Sequence, residues 1–161
     1  MIKAIVYESK TGHTKEYAEM LGKKLKLPQY PTNQAKNNLV NNDEIIYMGW
    51  VEAGVIQGYK KTKLNYKIKC VIAVGFMPPS ATNLDRIKVG SIVSEDLFYL
   101  RGGLDLEKIK GFQKITIKLM KLIMPLFVKK DNNPLADLFE NGGYFVKEEN
   151  LNEVLSYLKK K

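Results

Sequence analysis

Ser9, Lys10, Thr11, Gly12, His13 and Thr14 form a hydroxyl-rich run around one glycine. The run sits between an apolar stretch, Ala4-Ile5-Val6-Tyr7, and a stretch with helical spacing. Strand, hydroxyl-rich turn and helix start together make the arrangement a phosphate needs. The first N–H groups of a helix have no partner inside it, and the aligned peptide dipoles place partial positive charge there, so a phosphate dianion is favoured. Ser9, Thr11 and Thr14 add hydroxyl donors, and Gly12 lets the backbone approach closely. The same residue types also serve as helix caps and turns. Position, directly after the first strand, is what favours the phosphate. A Walker A loop and a G-x-G-x-x-G turn are both missing from the sequence.

Other reactive side chains are sparse. His13 is the only histidine, and at a variable place in the run it is expected to point to solvent. Cys70 is the only cysteine and opens an apolar run, which predicts a buried, inert thiol. One His and one Cys far apart do not make a first-row metal set. Glu95-Asp96 and Glu148-Glu149 are adjacent pairs, whose side chains diverge in strands and helices alike. Without an acid/base or nucleophilic constellation, chemistry here would belong to a bound cofactor that the protein positions.

The elements that must do the positioning alternate. After the run, Tyr17, Ala18, Leu21 and Leu25 recur at helical spacing, with Pro28 and Pro31 expected to close the helix. Residues 27–43 are polar and Asn-rich, so a second strand there must be short and at a sheet edge. Ile45-Ile46-Tyr47-Met48 and Val71-Ile72-Ala73-Val74 are unalternated apolar runs bounded by Gly49 and Gly75, which suit parallel strands covered on both faces. Leu97-Phe98-Tyr99-Leu100 predicts a fifth strand. Leu151, Val154, Leu155 and Leu158 place a stripe on a last helix. The pattern predicts an α/β fold, read as one domain over residues 1–161 without repeat or linker.

At 161 residues such a chain buries roughly 70% of the surface its unfolded form exposes. The N-terminal apolar run is only a strand long, and no segment has the ~20 uninterrupted apolar residues of a membrane span. The expectation is a cytoplasmic protein. With 26 Lys+Arg against 17 Asp+Glu, the net charge of +9 steers toward anionic partners. No nucleic-acid motif accompanies it, so specific nucleic-acid binding is not expected.

The run from Ser9 to Thr14 resembles the phosphate-binding loop of flavodoxins, of the form T/S-x-T-G-x-T, with Ser9 in the first place. The resemblance implies a flavodoxin-like three-layer α/β/α sandwich with a five-stranded parallel sheet, order 2-1-3-4-5, and FMN as cofactor. In that order the switch lies between strands 1 and 3, and the ligand sits beyond the carboxyl ends of the strands. The flavin then touches the run at Ser9 to Thr14. It also touches the loop after strand 3, with Trp50, Val51, Glu52, Ala53 and Gly54, and the loop after strand 4, with Phe76, Met77, Pro78, Pro79 and Ser80. Trp50 stands where flavodoxins place an aromatic against the flavin ring; a core aromatic at a strand end is the competing reading. A response-regulator receiver shares the strand order, but its acidic cluster and phospho-accepting Asp are replaced here by Glu8 and by Gly49-Trp50.

A second resemblance lies downstream. Arg101-Gly102-Gly103-Leu104-Asp105 is followed by the basic, Met-rich segment Ile115-Thr116-Ile117-Lys118-Leu119-Met120-Lys121-Leu122-Ile123-Met124. This is similar to bacterial flavodoxin-like protoporphyrinogen IX dehydrogenases, which implies FMN-dependent oxidation of a porphyrinogen with a membrane quinone as acceptor. An electron-transfer flavodoxin, working between a redox partner protein and a small-molecule donor or acceptor, fits the same motifs. A cofactor-free flavodoxin-like module that binds an anionic partner is the non-enzymatic alternative.

In residues 112–130, Phe112, Ile115, Leu119, Leu122 and Leu126 project as one helical stripe and Lys114, Lys118 and Lys121 as another. Ile117, Met120, Ile123 and Met124 widen the apolar face, and Pro125 is expected to interrupt the helix near its end. Packing the stripe on the sheet is the commoner outcome for such a helix. Peripheral contact with the inner face of a membrane, through an apolar face flanked by lysines, is the alternative.

Overall fold

The computed structural model describes residues 1–127 and 134–160. The chain runs β1 (Ala4–Glu8), α1 (His13–Leu25), β2 (Gln29–Pro31), α2 (Thr32–Ala35), β3 (Glu44–Glu52), β4 (Val55–Ile56), α3 (Tyr59–Lys63), β5 (Lys67–Gly75), α4 (Ala81–Ser91) and β6 (Asp96–Arg101). It continues through β7 (Gly103–Leu104), α5 (Phe112–Phe127), α6 (Pro134–Asn141), β8 (Gly143–Tyr144), a 3-10 turn and α7 (Asn152–Lys159). The central sheet has the order β2-β1-β3-β5-β6, and each neighbouring pair along it is parallel. This is the expected flavodoxin-like order, with the short second strand at the edge.

Period-two geometry explains the unalternated runs. Ile5 and Tyr7 of β1, Ile46 and Met48 of β3, and Cys70, Ile72 and Val74 of β5 enter one core with Tyr17, Ala18 and Leu21 of α1 and Val154 of α7. Val6, Ile45, Tyr47, Val71 and Ala73 enter the other, against Ala35, Tyr59, Ile87 and Val93. Both faces of the sheet are covered, so the central positions of β1, β3 and β5 are apolar on both sides. Complete burial of a side chain such as Leu21 contributes about 1.5–3 kcal/mol. Cys70 is fully buried, as expected.

Three boundaries differ from expectation. Lys26, in the left-handed region at φ 54, ends α1 before Pro28 is reached. β3 does not stop at Gly49 but continues to Glu52, so Trp50, Val51 and Glu52 are strand residues rather than loop. Pairing accounts for this: Val51 and Glu52 meet Ile56 and Val55 of β4 antiparallel. The turn uses Ala53 at φ 49 and Gly54 at φ 79, two left-handed residues whose twist matches the hairpin. Helix α5 passes Pro125 and ends at Phe127.

Between β6 and α7 the chain inserts residues 103–144. β7 and β8 pair antiparallel at its base, and Phe145 N–H donates to Gly102 C=O at 2.8 Å. The insertion has its own apolar cluster of Leu104, Ile109, Leu138 and Phe139, against which Phe76, Leu106, Ile117 and Phe145 pack. Tyr17 ties this base to α1: its hydroxyl donates to Arg101 C=O at 2.7 Å and accepts from Asn150 Nδ2 at 2.5 Å. Among the described residues no helix is long and apolar enough to cross a membrane.

Candidate functional site

Register brings the strand ends to one edge: Glu8 stands opposite Gly49, Trp50 opposite Val74, and Gly75 opposite Arg101. Beyond that edge lies a cavity of about 330 Å³. The run after β1 contributes Lys10, Thr11, His13 and Thr14; the β3–β4 hairpin contributes Trp50, Val51, Glu52 and Ala53; the end of β5 contributes Val74, Gly75 and Phe76. The opposite wall is the insertion, with Gly103, Leu104, Asp105, Ile109, Thr116, Ile117 and Phe139.

The remaining expected residues lie beside the cavity rather than on its wall. Gly12 precedes α1 at φ 107, and a Cβ placed on it would meet no atom within 4 Å. The requirement for glycine is therefore conformational, and the space in front of the helix start is open. Ser9 turns to the helix, its Oγ accepting from Lys15 N–H at 3.3 Å. Gly54 completes the hairpin turn. Met77 C=O accepts from the Tyr99 hydroxyl at 2.8 Å, Pro78 C=O accepts from Asn83 Nδ2, Pro79 is exposed, and Ser80 Oγ caps α4 by accepting from Asn83 N–H.

Two side chains of β6 hold the loop that carries Phe76. Tyr99 grips Met77 from below, and burial pushes its phenol up to about 12. Arg101 Nε donates to Phe76 C=O at 3.2 Å, while its guanidinium lies 3.4 Å from the Phe145 ring centre. On the hairpin side, Ile56 N–H donates to the buried Ser91 Oγ at 2.8 Å. Trp50 belongs to neither sheet core; it is half-buried at the cavity wall, and Lys10 Nζ sits 4.9 Å over its ring. The reading of Trp50 as a core aromatic is therefore set aside.

His13 also departs from expectation. It is 9% exposed, because residues 102 and 103 close over it from the insertion side. A Cβ on Gly103 would stand 3.0 Å from His13 Nε2 and 2.4 Å from Gly143 C=O, so only glycine permits the approach. Thr11 Oγ1 and His13 Nδ1 are hydrogen-bonded at 3.1 Å, and Tyr144 tilts against the ring with centres 5.7 Å apart. The Tyr144 hydroxyl donates to Glu16, which pushes it up to about 12. Burial holds His13 below the ordinary value of 6.5, with Asp105 and Glu16 opposing. Asp105 is itself held low by the side chain of Lys108, 2.9 Å away.

A histidine with a depressed folded value is neutral when folded and charges more readily when unfolded, so its stabilising contribution is present above 6.5 and lost as pH falls through the folded value. As His13 is the only histidine, the thermal midpoint should fall as pH drops just below 6.5, more steeply than that of His13→Gln. Parallel midpoint curves for the two proteins would contradict this.

A larger crevice of about 430 Å³ lies across Ser9 between α2 and α3. It is lined by Thr32, Lys36, Lys61 and Asn65, and Glu8 accepts there from the Thr32 hydroxyl. Its wall is the more polar of the two, and the starts it borders are those of the short helices α2 and α3 rather than of α1.

The part of the site that the expected residues did not include is the insertion wall. Its signal in the sequence was the turn Arg101-Gly102-Gly103-Leu104-Asp105 and the basic, Met-rich segment at 115–124, which named no side chain at the cavity. A family model described as a flavodoxin domain matches residues 4–125, from the start of β1 into α5. Comparison with curated proteins finds no match.

Proposed function

The chain belongs to the flavodoxin domain family, and from that premise we propose that it is an FMN-binding redox protein whose flavin occupies the cavity at the β1, β3 and β5 ends. The observation that supports this most is one cavity that runs from Lys10, Thr11 and Thr14, beside the left-handed Gly12 at the head of α1, to a wall of Trp50, Val51 and Phe76. Those two ends match the two ends of FMN, an anionic phosphate and a flat apolar ring.

In this reading the N–H groups at the head of α1, the hydroxyls of Thr11 and Thr14, and Lys10 hold the phosphate. Trp50, Val51 and Phe76 flank the ring and keep water from it. Lys10 exchanges its place over Trp50 for the phosphate. The flavin, when bound, supplies one- and two-electron transfer. The protein supplies orientation and the local field, with Lys10 and Glu52 at the cavity edge.

The finer assignment is a flavin-dependent dehydrogenase rather than a bare electron carrier. Ile109, Ile117 and Phe139 add an apolar wall facing the flavin loops, which suits a flat apolar substrate, such as the porphyrinogen implied by the downstream resemblance, with a quinone as acceptor. FMN titration tests the reading. Trp50 emission should fall on addition of FMN, and Trp50→Ala should shift the flavin midpoint potential. A protein that neither takes up FMN nor changes emission would be a cofactor-free module instead.

A further inference from the structure

We propose that the outer face of α5 is a docking surface for an anionic lipid bilayer, so that the cavity opens beside the membrane surface. Sequence alone favoured packing the Ile115, Leu119 and Leu122 stripe on the sheet. The structure turns it outward: the three side chains are 62%, 53% and 74% exposed. The side chains of Phe112, Met120, Met124 and Leu126, and residues 128–130, lie outside what the structure describes.

At spacings of four and three, Ile115, Leu119 and Leu122 form one strip along the helix. Lys114, Lys118 and Lys121 are exposed along one flank of that strip, and none of them joins the described ion pairs. No acidic residue occurs from Lys110 to Phe127. The inward side of the helix is already satisfied, since Ile117 packs on the insertion's own cluster. The outward strip is thus not needed for folding, and an exposed apolar strip of this kind marks an interaction surface.

Charge selects the occupant. A second copy of the chain would bring its own +9 against these lysines, whereas anionic headgroups complement them while acyl chains take the apolar strip. A helix too short to cross the bilayer lies in its plane. Thr116, beside the strip, and Ile117, on the inward side of the same helix, line the cavity. A docked α5 therefore sets the cavity mouth next to the lipid, within reach of an apolar reactant dissolved there. The docking stands independently of the flavin reading; only what enters the cavity rests on it.

Sedimentation with phosphatidylcholine vesicles, with and without phosphatidylglycerol, at low and raised salt tests this in the full chain. The protein should pellet with the anionic vesicles at low salt and be released as salt rises. Leu119→Glu/Leu122→Glu and Lys118→Glu/Lys121→Glu should each weaken pelleting at least about tenfold, with thermal midpoints near the parent's because the replaced side chains are exposed. Protein left in the supernatant at low salt, or variants that pellet like the parent, would overturn the proposal. So would a dimer in sedimentation velocity that Leu119→Glu/Leu122→Glu disperses, which would make a second copy the occupant. FMN titration of the same lipid-free samples keeps the two readings separate: flavin uptake without vesicle binding refutes the docking alone, and vesicle binding without flavin uptake refutes the cofactor alone.

Discussion

Replacing Gly12 by valine is expected to weaken FMN binding by on the order of 100-fold while the protein remains folded. At φ 107 and ψ −27 the position lies in a region that a β-branched residue does not adopt without strain. The added side chain meets nothing in the fold, so the core is untouched and the turn must rearrange instead. Rearrangement moves the N–H groups at the head of α1 away from the phosphate, and each charge-assisted hydrogen bond lost costs roughly 1.5–3 kcal/mol. Gly111→Val supplies the control, because Gly111 also has a positive φ, 63, with open space around its Cβ position, yet it precedes α5 and lies outside the run from Ser9 to Thr14. Equal losses of affinity in the two variants, read by fluorescence titration, would mean that Gly12 acts through general strain rather than through the phosphate.

The largest expected loss of stability falls on Tyr17→Phe, at roughly 2–4 kcal/mol in chemical denaturation. The side chain is fully buried, and its hydroxyl is the point where α1, the end of β6 and the segment after β8 meet. Removing the oxygen leaves Arg101 C=O without this donor and Asn150 Nδ2 without this acceptor. Phe145 C=O still accepts from Asn150 at 3.0 Å, which keeps the total below the sum of the separate penalties. The damage should concentrate in the insertion: amides of β7 and β8 should exchange faster than those of β3 and β5. Uniform exchange across the sheet would show that Tyr17 serves the whole core and not the insertion's base.

What was legible in the sequence follows from burial. Strands covered on both faces must be apolar at their centres, so β1, β3 and β5 announced themselves as unbroken runs, and the last helix showed its stripe at Val154, Leu155 and Leu158, with Leu151 in the 3-10 turn before it. The hairpin from Trp50 to Ile56 was hidden, because its turn places Ala53, rather than Asn or Asp, in the left-handed region, where the usual residue signal is weak. Helices α2 and α3 are too short to carry a period. His13 looked solvent-facing because its cover, residues 102 and 103, is distant in sequence. The orientation of α5 was likewise undecidable from its period alone. Helices α1 and α7 already cover one sheet face, so the insertion folded onto its own apolar cluster and left Ile115, Leu119 and Leu122 outside.

Parallel titration of the protein with FMN and riboflavin, followed by Trp50 emission, tests the central claim most directly, since the two ligands differ only in the phosphate. Tighter binding of FMN by several kcal/mol, at about 1.5–3 kcal/mol for each charge-assisted bond, is the result expected of a phosphate seated at the head of α1. Equal affinities, or no change in Trp50 emission with either ligand, would contradict a flavin held between this loop and the β3–β4 hairpin.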